Sequence, residues 1–365
     1  MNKRIGILTG GGDAPGLNAV IRAVVLTAHN CYGWQVIGIR QGYDGLLTPE
    51  TPVVSLDPAH VQPLLSRGGT ILGAVNRGNP FVHPVRNTDG TVQYVDTAQD
   101  AVERLEALEI DALIVAGGDG TMAIAQRLIA LGARIIGVPK TIDNDLAQTD
   151  VSFGFDTAIL TATEALDKLQ TTAESHHRVM VMEVMGRNSG WIALKTGVAG
   201  GADVILIPEI PFDIERVCRH LKEMRTPERN HALVVVAEGA APAGGQQQYY
   251  IKASGLMDAR LGGIGYSLGN SIAERTGFDV RVLRLGHLQR GGSPTPHDRW
   301  LATRFGAAAV HLAARQQWGH MVALQGNDIV SVPMAEAVKI KRVDPSGEMV
   351  RMARDLGISF GDLHR

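Results

Sequence analysis

The chain of 365 residues is too long for one ordinary core, so its length favours two domains of roughly 100–200 residues each. Its apolar content of 45% suffices for buried cores, and a formal net charge of −2 excludes a general affinity for nucleic acid or for an anionic membrane surface. Any anionic ligand must therefore be held by local clusters of Arg, Lys and backbone N–H groups.

The cysteines and the N-terminus indicate the compartment. Cys31 and Cys218 lie far apart and give neither a disulfide framework nor metal-ligand spacing, so we expect two reduced thiols. The N-terminus enters a predicted strand almost at once, without a signal-peptide core, and the sequence contains no apolar run near the ~18 residues of a membrane span. We therefore expect a soluble, cytoplasmic protein that binds neither nucleic acid nor membrane.

Short β-branched runs alternate with helical patterns along the chain. Strands are predicted at residues 5–8, 36–39, 112–116, 135–138, 179–184, 204–207, 233–237 and 280–285. Helices are predicted at residues 17–28, 97–108, 122–131, 158–170 and 214–222. Apolar strands that alternate with helices predict parallel sheets built from βαβ units, and hence an α/β fold. The glycine-rich segment 239–248 is predicted to be a flexible loop or a surface insertion.

Two glycine-rich loops follow predicted strands. Residues 9–16 read Thr-Gly-Gly-Gly-Asp-Ala-Pro-Gly, where glycines and the next helix N-terminus suit an anion, although a structural tight turn explains the loop equally well. Residues 117–121 read Gly-Gly-Asp-Gly-Thr. A carboxylate between glycines at a strand-to-helix turn can coordinate Mg²⁺ while backbone N–H groups hold phosphate. The alternative is that Asp119 only caps the helix.

A third run, Pro-Lys-Thr-Ile-Asp-Asn-Asp at residues 139–145, follows the next strand. One of its carboxylates can take the proton of an attacking alcohol while the other serves the metal or the local geometry. Glycine loops, Mg²⁺, Lys and Arg are the parts that phosphoryl transfer requires. Standing alone, the run would be read as an Asx-rich turn.

Basic clusters occur at 176–178, before a strand, and at 185–190 and 286–294, after strands. An arginine beside glycine suits a phosphate, because the guanidinium fork matches phosphate oxygens. Each cluster alone would be read as a solvated loop, and no spacing supports a zinc site.

Together these motifs resemble the 6-phosphofructokinase family. The motifs are Gly-Gly-Asp-x-Pro-Gly-x-Asn, Gly-Gly-Asp-Gly-Thr, Pro-Lys-Thr-Ile-Asp-Asn-Asp, Met-Gly-Arg-x-x-Gly and Gly-His-Leu-Gln-Arg-Gly-Gly-x-Pro, in family order over residues 5–301. The resemblance implies two Rossmann-like three-layer domains with mainly parallel sheets and the active site in the cleft between them. Residues 1–154 plus 289–339 would bind nucleotide and Mg²⁺, and residues 155–288 plus 340–365 would bind the sugar phosphate.

The resemblance also implies a role for each matching residue. Asp143 would be the general base for the C1 hydroxyl of fructose 6-phosphate, supported by Thr141, Asp145 and Arg187, and Asp119 would hold Mg²⁺. Residues implied to contact ATP are Gly12, Tyr43, Arg77, Gly118, Asp119, Gly120 and Thr121. Residues implied to contact fructose 6-phosphate are Thr141, Asp143, Arg178, Met185, Gly186, Arg187, Glu238, Arg281, His287 and Arg290. In the family, the residues matching Arg178 and Arg281 come from a neighbouring subunit, which implies a homo-oligomer, a tetramer or dimer with shared active sites.

Two positions depart from the family pattern or bear on the phosphoryl donor. The family's arginine near the transferred phosphate is replaced by Ala-Val-Asn-Arg at residues 74–77, so Arg77 would take that role shifted by one residue. In the family, Asp at the position of Gly120 together with Lys at that of Lys140 marks pyrophosphate users. Gly120 leaves room for the nucleotide α-phosphate and Lys140 is compatible with either donor, so the sequence favours ATP.

Alternative functions remain open at this stage. The first is a diphosphate-dependent fructose-6-phosphate 1-phosphotransferase, which the lysine at position 140 suggests. The second is a non-catalytic sensor of nucleotide or sugar phosphate, against which the intact Asp119, Asp143, Asp145 and Arg187 argue. An NAD-kinase-like activity is opposed by the loop that carries His287 and Arg290.

Overall fold

Every strand predicted from the sequence is present in the computed structural model, which describes residues 3–48, 50, 53–75, 78–87, 89–226, 229–251 and 260–362. Most of the strands are rich in Val and Ile, whose branched side chains fit a pleated, buried surface. In chain order they are β1 (Arg4–Thr9), β2 (Gln35–Ile39), β3 (Val54–Leu56), β4 (His83–Arg86), β5 (Val92–Val95), β6 (Ala112–Gly117), β7 (Ile135–Pro139), β8 (Val179–Val184), β9 (Val204–Leu206), β10 (Ala232–Ala237), β11 (Tyr249–Ile251), β12 (Arg260–Leu261), β13 (Val280–Arg284), β14 (His320–Gln325) and β15 (Asp328–Pro333).

The predicted helices are also present, with ends that differ by a few residues. The helices are α1 (Leu17–Tyr32), α2 (Asp44–Leu47), α3 (Pro58–Val61), α4 (Ala98–Ala107), α5 (Asp119–Ala130), α6 (Phe155–His176), α7 (Trp191–Ala199), α8 (Ile214–Glu223), α9 (Ile264–Thr276), α10 (Pro296–Ala314), α11 (Met334–Ala337) and α12 (Glu348–Asp355). No helix is predicted from the sequence at α10, because its many alanines give little contrast between faces. Within the described ranges, no helix is both long and apolar enough to cross a membrane.

The strands form a seven-stranded and a four-stranded sheet, both built mainly from parallel neighbours. The larger sheet has the order β15-β14-β7-β6-β1-β2-β3, and only its edge strands β3 and β15 run antiparallel to their neighbours. The smaller sheet has the order β13-β8-β10-β9 and is parallel throughout. The prediction of an α/β fold with mainly parallel sheets is therefore confirmed.

The chain divides into two compact units and passes from one to the other several times. The first unit comprises residues 1–142, 146–157 and 290–340 and contains the larger sheet; the second comprises residues 143–145, 158–289 and 341–365 and contains the smaller sheet. The sequence-based boundaries place residues 143–145 and 289 in the first domain, whereas the structure groups them with the second unit. Residues 155–157 and 340 were predicted in the second domain and belong to the first unit. The ligand assigned to each domain stays a prediction.

Each sheet is buried between layers of helices. Along β6, Ile114 belongs to one apolar cluster while Leu113 and Val115 belong to another, as expected when successive side chains point to opposite faces. The first cluster includes buried side chains of α1 and α10, and the second includes those of α4 and α5. In the second unit, α8 and α9 pack on the four-stranded sheet. These layers fix the carboxyl ends of the strands, where the two glycine loops and residues 185–187 lie.

Candidate functional site

The first glycine loop, residues 10–12, leaves the end of β1 beside the end of β6. The Gly10 N–H donates to the Ala116 carbonyl at 2.9 Å. A Cβ added at Gly10 would lie 2.6 Å from Thr121 Cγ2, and one added at Gly117 would lie 2.3 Å from Thr121 Cβ. Both glycines are therefore required by the close approach of the Thr121 side chain, which joins the two glycine loops.

The second glycine loop, residues 117–121, turns from β6 into α5. Thr121 is buried in the first turn of α5, and Asp119 is the first residue of that helix. A helix N-terminus presents unpaired N–H groups and a partial positive charge, so this turn is suited to an anion. Gly120 is exposed, and a Cβ added there would meet no atom within 4 Å. The space beside Gly120 is thus open for a ligand.

Lys140 approaches the first glycine loop from the end of β7. Its side chain is only 4% exposed, and its ammonium donates to the Gly12 carbonyl at 2.5 Å. A Cβ at Gly11, whose φ is +71°, would lie 3.4 Å from the same ammonium nitrogen. The structure therefore puts the buried Lys140 ammonium directly against the main chain of the first glycine loop.

Tyr43 contacts the second glycine loop through a hydrogen bond to Thr121. Its ring is buried, and its hydroxyl donates to the Thr121 carbonyl at 3.0 Å. Burial raises the pKa of the Tyr43 phenol, so the hydroxyl stays protonated and remains a donor. In this arrangement Tyr43 contacts the loop that was predicted to hold the nucleotide, and its predicted contact with the nucleotide itself stays untested.

Asp143, Asn144 and Asp145 form a tight turn in the second unit, which we call the aspartate turn. Asn144 adopts a left-handed conformation with φ +51°, which asparagine tolerates better than most residues. The Ser189 hydroxyl donates to the Asp143 carbonyl at 3.0 Å, and the Lys341 N–H donates to the Asp145 carbonyl at 2.7 Å. The ends of the turn are thus fixed from two separate segments of the second unit.

The arginine turn, residues 185–187, follows β8 beside the end of β10. Gly186 has φ +139°, a conformation that disfavours a side chain. The buried Gln289 side chain accepts from the Met185 N–H at 2.8 Å. The Glu238 N–H donates to the Val184 carbonyl at 2.9 Å, so Glu238 leaves β10 alongside this turn. Arg187 itself is exposed at the surface of the second unit.

Arg178 and Arg281 lie together at the start of β8 and β13, on either side of one carboxylate. Arg178 Nε is 2.6 Å from Asp279 Oδ2, and Arg281 Nη1 is bonded to Asp279 Oδ1. The hydrogen bond from Arg178 is the main reason that the pKa of Asp279 lies below its ordinary value. The two arginines predicted to bind a phosphate are therefore already brought together by an acidic side chain of the same unit.

The last basic cluster spans the boundary between the two units. His287 is exposed and belongs to the second unit. Arg290 belongs to the first unit, where its Nη1 donates to the Asp13 carbonyl at 3.1 Å and lies close to Gly12. The predicted Arg77 falls outside the described residues.

Several supporting residues escaped the sequence-based reasoning, namely Ser189, Lys341, Gln289 and Gln247. Each of them acts on the main chain of a predicted site residue or on the carbonyl groups next to it. Polar residues of this kind follow no periodic pattern, and most of them lie far along the chain from the residues that they hold. The positions of Ser189 inside the Met-Gly-Arg-x-x-Gly motif and of Gln289 inside the Gly-His-Leu-Gln-Arg-Gly-Gly-x-Pro motif gave the only hints.

The donor set at Asp119 fits Mg²⁺ bound together with a phosphate. Asp119 is half-buried, and its carboxylate accepts no hydrogen bond from any residue that the structure describes. Mg²⁺ is usually held by one or two carboxylates together with waters and substrate phosphates, so one carboxylate beside an anion-binding loop suffices. Over the same described residues, no cluster of three or more His, Cys, Asp and Glu side chains offers a cage made by the protein alone.

Comparison with known proteins assigns the chain to a family. Residues 4–313 match the family described as Phosphofructokinase. The chain is 56% identical over 361 residues to "ATP-dependent 6-phosphofructokinase" of Chloroflexus aggregans, covering 99% of this chain and 98% of that protein. It is 50% identical over 351 residues to "Pyrophosphate--fructose 6-phosphate 1-phosphotransferase" of Amycolatopsis methanolica, covering 94% and 96%.

A solved structure shares the same architecture. The T-state crystal structure of Pichia pastoris phosphofructokinase matches with a TM-score of 0.79 and 32% identity. The match covers 93% of this chain but only 35% of the yeast chain, which is therefore much longer.

The fold and the sequence matches together define an α/β enzyme of the phosphotransferase class that acts on an alcohol group. The chain belongs to the phosphofructokinase family, as the resemblance of its motifs implied.

Proposed function

We propose that this chain is an ATP-dependent 6-phosphofructokinase, which transfers the γ-phosphoryl group of ATP to the C1 hydroxyl of D-fructose 6-phosphate. The products are fructose 1,6-bisphosphate and ADP, a step of glycolysis. The 56% identity to a protein named for this activity supports the reaction. The observation that carries the choice of donor is the open space at Gly120, where an added Cβ meets no atom within 4 Å.

The first unit would hold the donor. Backbone N–H groups of the two glycine loops and the ammonium of Lys140 would neutralise phosphate oxygens. The hydrogen bond from the Lys140 ammonium to the Gly12 carbonyl supports this role, because it places the ammonium at the first glycine loop. Asp119 would hold Mg²⁺, which would supply positive charge to offset the negative charge that develops during transfer. Gly118, Gly120 and Thr121 would contact the nucleotide.

Asp143 would take the proton from the C1 hydroxyl as that oxygen attacks the γ-phosphorus. The hydrogen bond from the Ser189 hydroxyl fixes the main chain of Asp143 and so limits the movement of the Asp143 carboxylate. A positioned base of this kind typically contributes about 10²–10⁴-fold in rate. Asp145 and Thr141 would support the transfer from the same run.

The second unit would hold the sugar phosphate. Met185, Gly186, Arg187 and Glu238, which lie together at the ends of β8 and β10, would hold the sugar. His287 of the second unit and Arg290 of the first unit would bind the 6-phosphate together with Arg178 and Arg281 of a neighbouring subunit, because Arg178 and Arg281 lie at the opposite ends of their strands from Met185 and Glu238. Guanidinium groups would make the stronger, bidentate contacts. Because Asp279 engages Arg178 and Arg281, the phosphate would have to compete with that carboxylate or share the two arginines with it.

A diphosphate-dependent enzyme is the second candidate. It is favoured by the buried Lys140 at the donor loop and by the 50% identity to a protein named for pyrophosphate use. Identity alone does not separate the two donors, because the values of 56% and 50% are close. The missing side chain at Gly120 weighs for ATP, since a carboxylate there would repel the α-phosphate.

One assay tests both candidates. Fructose 6-phosphate and Mg²⁺ are supplied with either ATP or pyrophosphate, and fructose 1,6-bisphosphate is followed through a coupling enzyme. We expect turnover with ATP and little with pyrophosphate. The reverse preference would replace ATP by pyrophosphate in the proposal, and binding without turnover would favour the non-catalytic sensor.

The assembly and the location of the protein stay predictions. A homo-oligomer with shared active sites, as a tetramer or dimer, is implied by the family, and sedimentation at assay concentrations would measure it. We keep the prediction of a cytoplasmic enzyme that uses no nucleic acid and no membrane as a partner.

A further inference from the structure

The segment 239–248, interpreted from the sequence as a flexible loop or insertion, contacts the arginine turn. Gly239 starts the segment, and its N–H donates to the Gly186 carbonyl at 3.1 Å. A Cβ at Gly239 would lie 2.1 Å from the Arg187 carbonyl oxygen, so the two main chains are in direct contact. The segment thus lies against the residues that we propose to hold the sugar.

The side chain of Gln247 adds two hydrogen bonds between the segment and the arginine turn and within the segment. Its amide nitrogen donates to the Arg187 carbonyl at 3.1 Å and to the Gly239 carbonyl at 3.1 Å. With the Gly186 carbonyl already paired to the Gly239 N–H, carbonyl oxygens of the arginine turn are held by this segment. One amide group therefore bridges the turn and the strand exit beside it.

The orientation of the Gln247 amide follows from its partners. Two carbonyl oxygens face one end of the amide, and only an NH₂ group can donate to both. The other end, Oε1, lies 3.4 Å from the Tyr249 hydroxyl, which can donate to it. The reversed orientation would set an oxygen against two oxygens, so an acidic side chain at this position would repel the Arg187 carbonyl.

The main chain at Gln247 is anchored by hydrogen bonds of the next residue, Gln248. The Gln248 carbonyl accepts from the Gly262 N–H at 3.1 Å, and the Gln248 side chain accepts from the Ser267 hydroxyl at 2.7 Å on α9. This anchor fixes the main chain next to Gln247. The position of its amide is therefore determined before any ligand binds, which is the condition for preorganising a binding residue.

We propose that Gln247 is a positioning residue that sets the affinity for the sugar phosphate by fixing the main chain of Arg187. The inference rests on the proposed function of the arginine turn. Arg187 is exposed, so its guanidinium group depends on its backbone for placement. Loss of the amide bridge frees that backbone and weakens ground-state binding of the sugar, whereas the donor loops belong to the first unit and are unaffected.

Gln247→Glu is the sharpest test, because it keeps the size and removes the NH₂ donor. We expect the KM for fructose 6-phosphate to rise about ten-fold, because the variant loses both hydrogen bonds from the Gln247 amide and sets a negative charge against the Arg187 carbonyl. The kcat and the KM for the phosphoryl donor should stay within about two-fold of wild type. Gln246→Glu adds the same charge at an exposed neighbouring position and should behave as wild type.

Gln247→Ala serves if the glutamate variant does not fold, and its KM for fructose 6-phosphate should also rise by about five-fold or more. Thermal unfolding of every variant checks that the comparison is made between folded proteins. A folded Gln247→Glu or Gln247→Ala with the wild-type KM for fructose 6-phosphate would overturn the inference and leave the proposed function intact. A wild-type enzyme that does not use fructose 6-phosphate at all would overturn both.

Discussion

The glycine loops of the first unit and the arginine turn of the second unit are built in different ways. In the glycine loops, Gly10 and Gly117 approach the Thr121 side chain so closely that an added Cβ would lie under 3 Å from it, and we propose that the main chain binds the ligand there. In the arginine turn, Gln289 and Gln247 hold the main chain, and we propose that side chains bind the ligand. Steric contact therefore fixes the main chain of the glycine loops, whereas hydrogen bonds fix that of the arginine turn.

This difference predicts how each region responds to mutation. A steric requirement is abrupt, because overlapping atoms must move or the fold must yield. A hydrogen-bond requirement is graded, because each lost bond changes affinity by a limited amount. Substitutions in the glycine loops should therefore affect stability or donor choice, whereas those around the arginine turn should shift the KM of the sugar.

The largest effect is expected from Asp143→Asn in the aspartate turn. Removing the general base should lower kcat by about 10²–10⁴-fold and leave the KM for fructose 6-phosphate within a few-fold. Steady-state kinetics measure both values. Asp167→Asn, a matched change at an exposed position of α6, is the control. A kcat near that of the control would remove Asp143 from the proposed mechanism.

Gly120→Asp tests the donor choice directly. The added carboxylate should lower kcat/KM for ATP by at least about 10²-fold, because like charges in contact cost several kcal/mol. The fold should tolerate it, since a Cβ there meets no atom within 4 Å and a carboxylate favours a helix N-terminus. Activity is compared with ATP and with pyrophosphate. Gly120→Ala, which adds bulk without charge, should lose much less, and equal losses would point to sterics instead.

Gly10→Ala and Thr121→Ala test whether the two glycine loops are joined by packing. Gly10→Ala alone should destabilise the protein by about 1–3 kcal/mol, because its Cβ would lie 2.6 Å from Thr121 Cγ2. Thr121→Ala removes that atom. The double variant should therefore be more stable than the sum of the two single changes predicts. Urea denaturation of the four proteins measures the coupling, and strict additivity would contradict the packing argument.

Two aspartates, one in each unit, should give the smallest effects and opposite pH dependences. Asp298 is buried in the first unit, where the Thr157 hydroxyl and N–H donate to it at 2.6 and 2.8 Å. Burial is the main cause that raises the pKa of Asp298, and the hydrogen bonds from Thr157 oppose it. A raised pKa in the folded state means that the contribution to stability is present at acid pH and is lost as the pH rises through that value.

The free energy of unfolding of wild type, minus that of Asp298→Asn, should therefore fall as the pH rises from about 4, by at most about 1.4 kcal/mol per pH unit. For Asp279 the sign reverses. The hydrogen bond from Arg178 lowers its pKa, so the stabilisation is present above the ordinary value of about 3.9 and is lost as the pH falls below it. Denaturation curves of Asp279→Asn across the acid range measure this term. If the stability difference between wild type and variant changed with pH in the same direction for Asp298→Asn and Asp279→Asn, the opposite pKa shifts of the two aspartates would be contradicted.

Much of the fold followed from the sequence. The strands β1, β6, β7 and β8 are mainly apolar runs, although β8 contains Glu183, and they lead into loops that carry glycine or proline. Their identity and nearly their ends were therefore predictable. Helix α10 was not predicted, because an alanine-rich helix gives little contrast between its faces. The neighbouring strands β14 and β15 of the larger sheet were not predicted either.

The sequence by itself determined the chemistry that is available: the glycines beside Asp119, the two carboxylates at 143 and 145, and the arginines at strand ends. The tertiary structure decided what holds those groups. It puts the Lys140 ammonium on the Gly12 carbonyl, Asp279 between Arg178 and Arg281, and Gln247 on the Arg187 carbonyl. All of these contacts except that of Asp279 with Arg281 join residues that are far apart along the chain. They depend on the packing of whole strands and loops, and no local spacing of residue types encodes them.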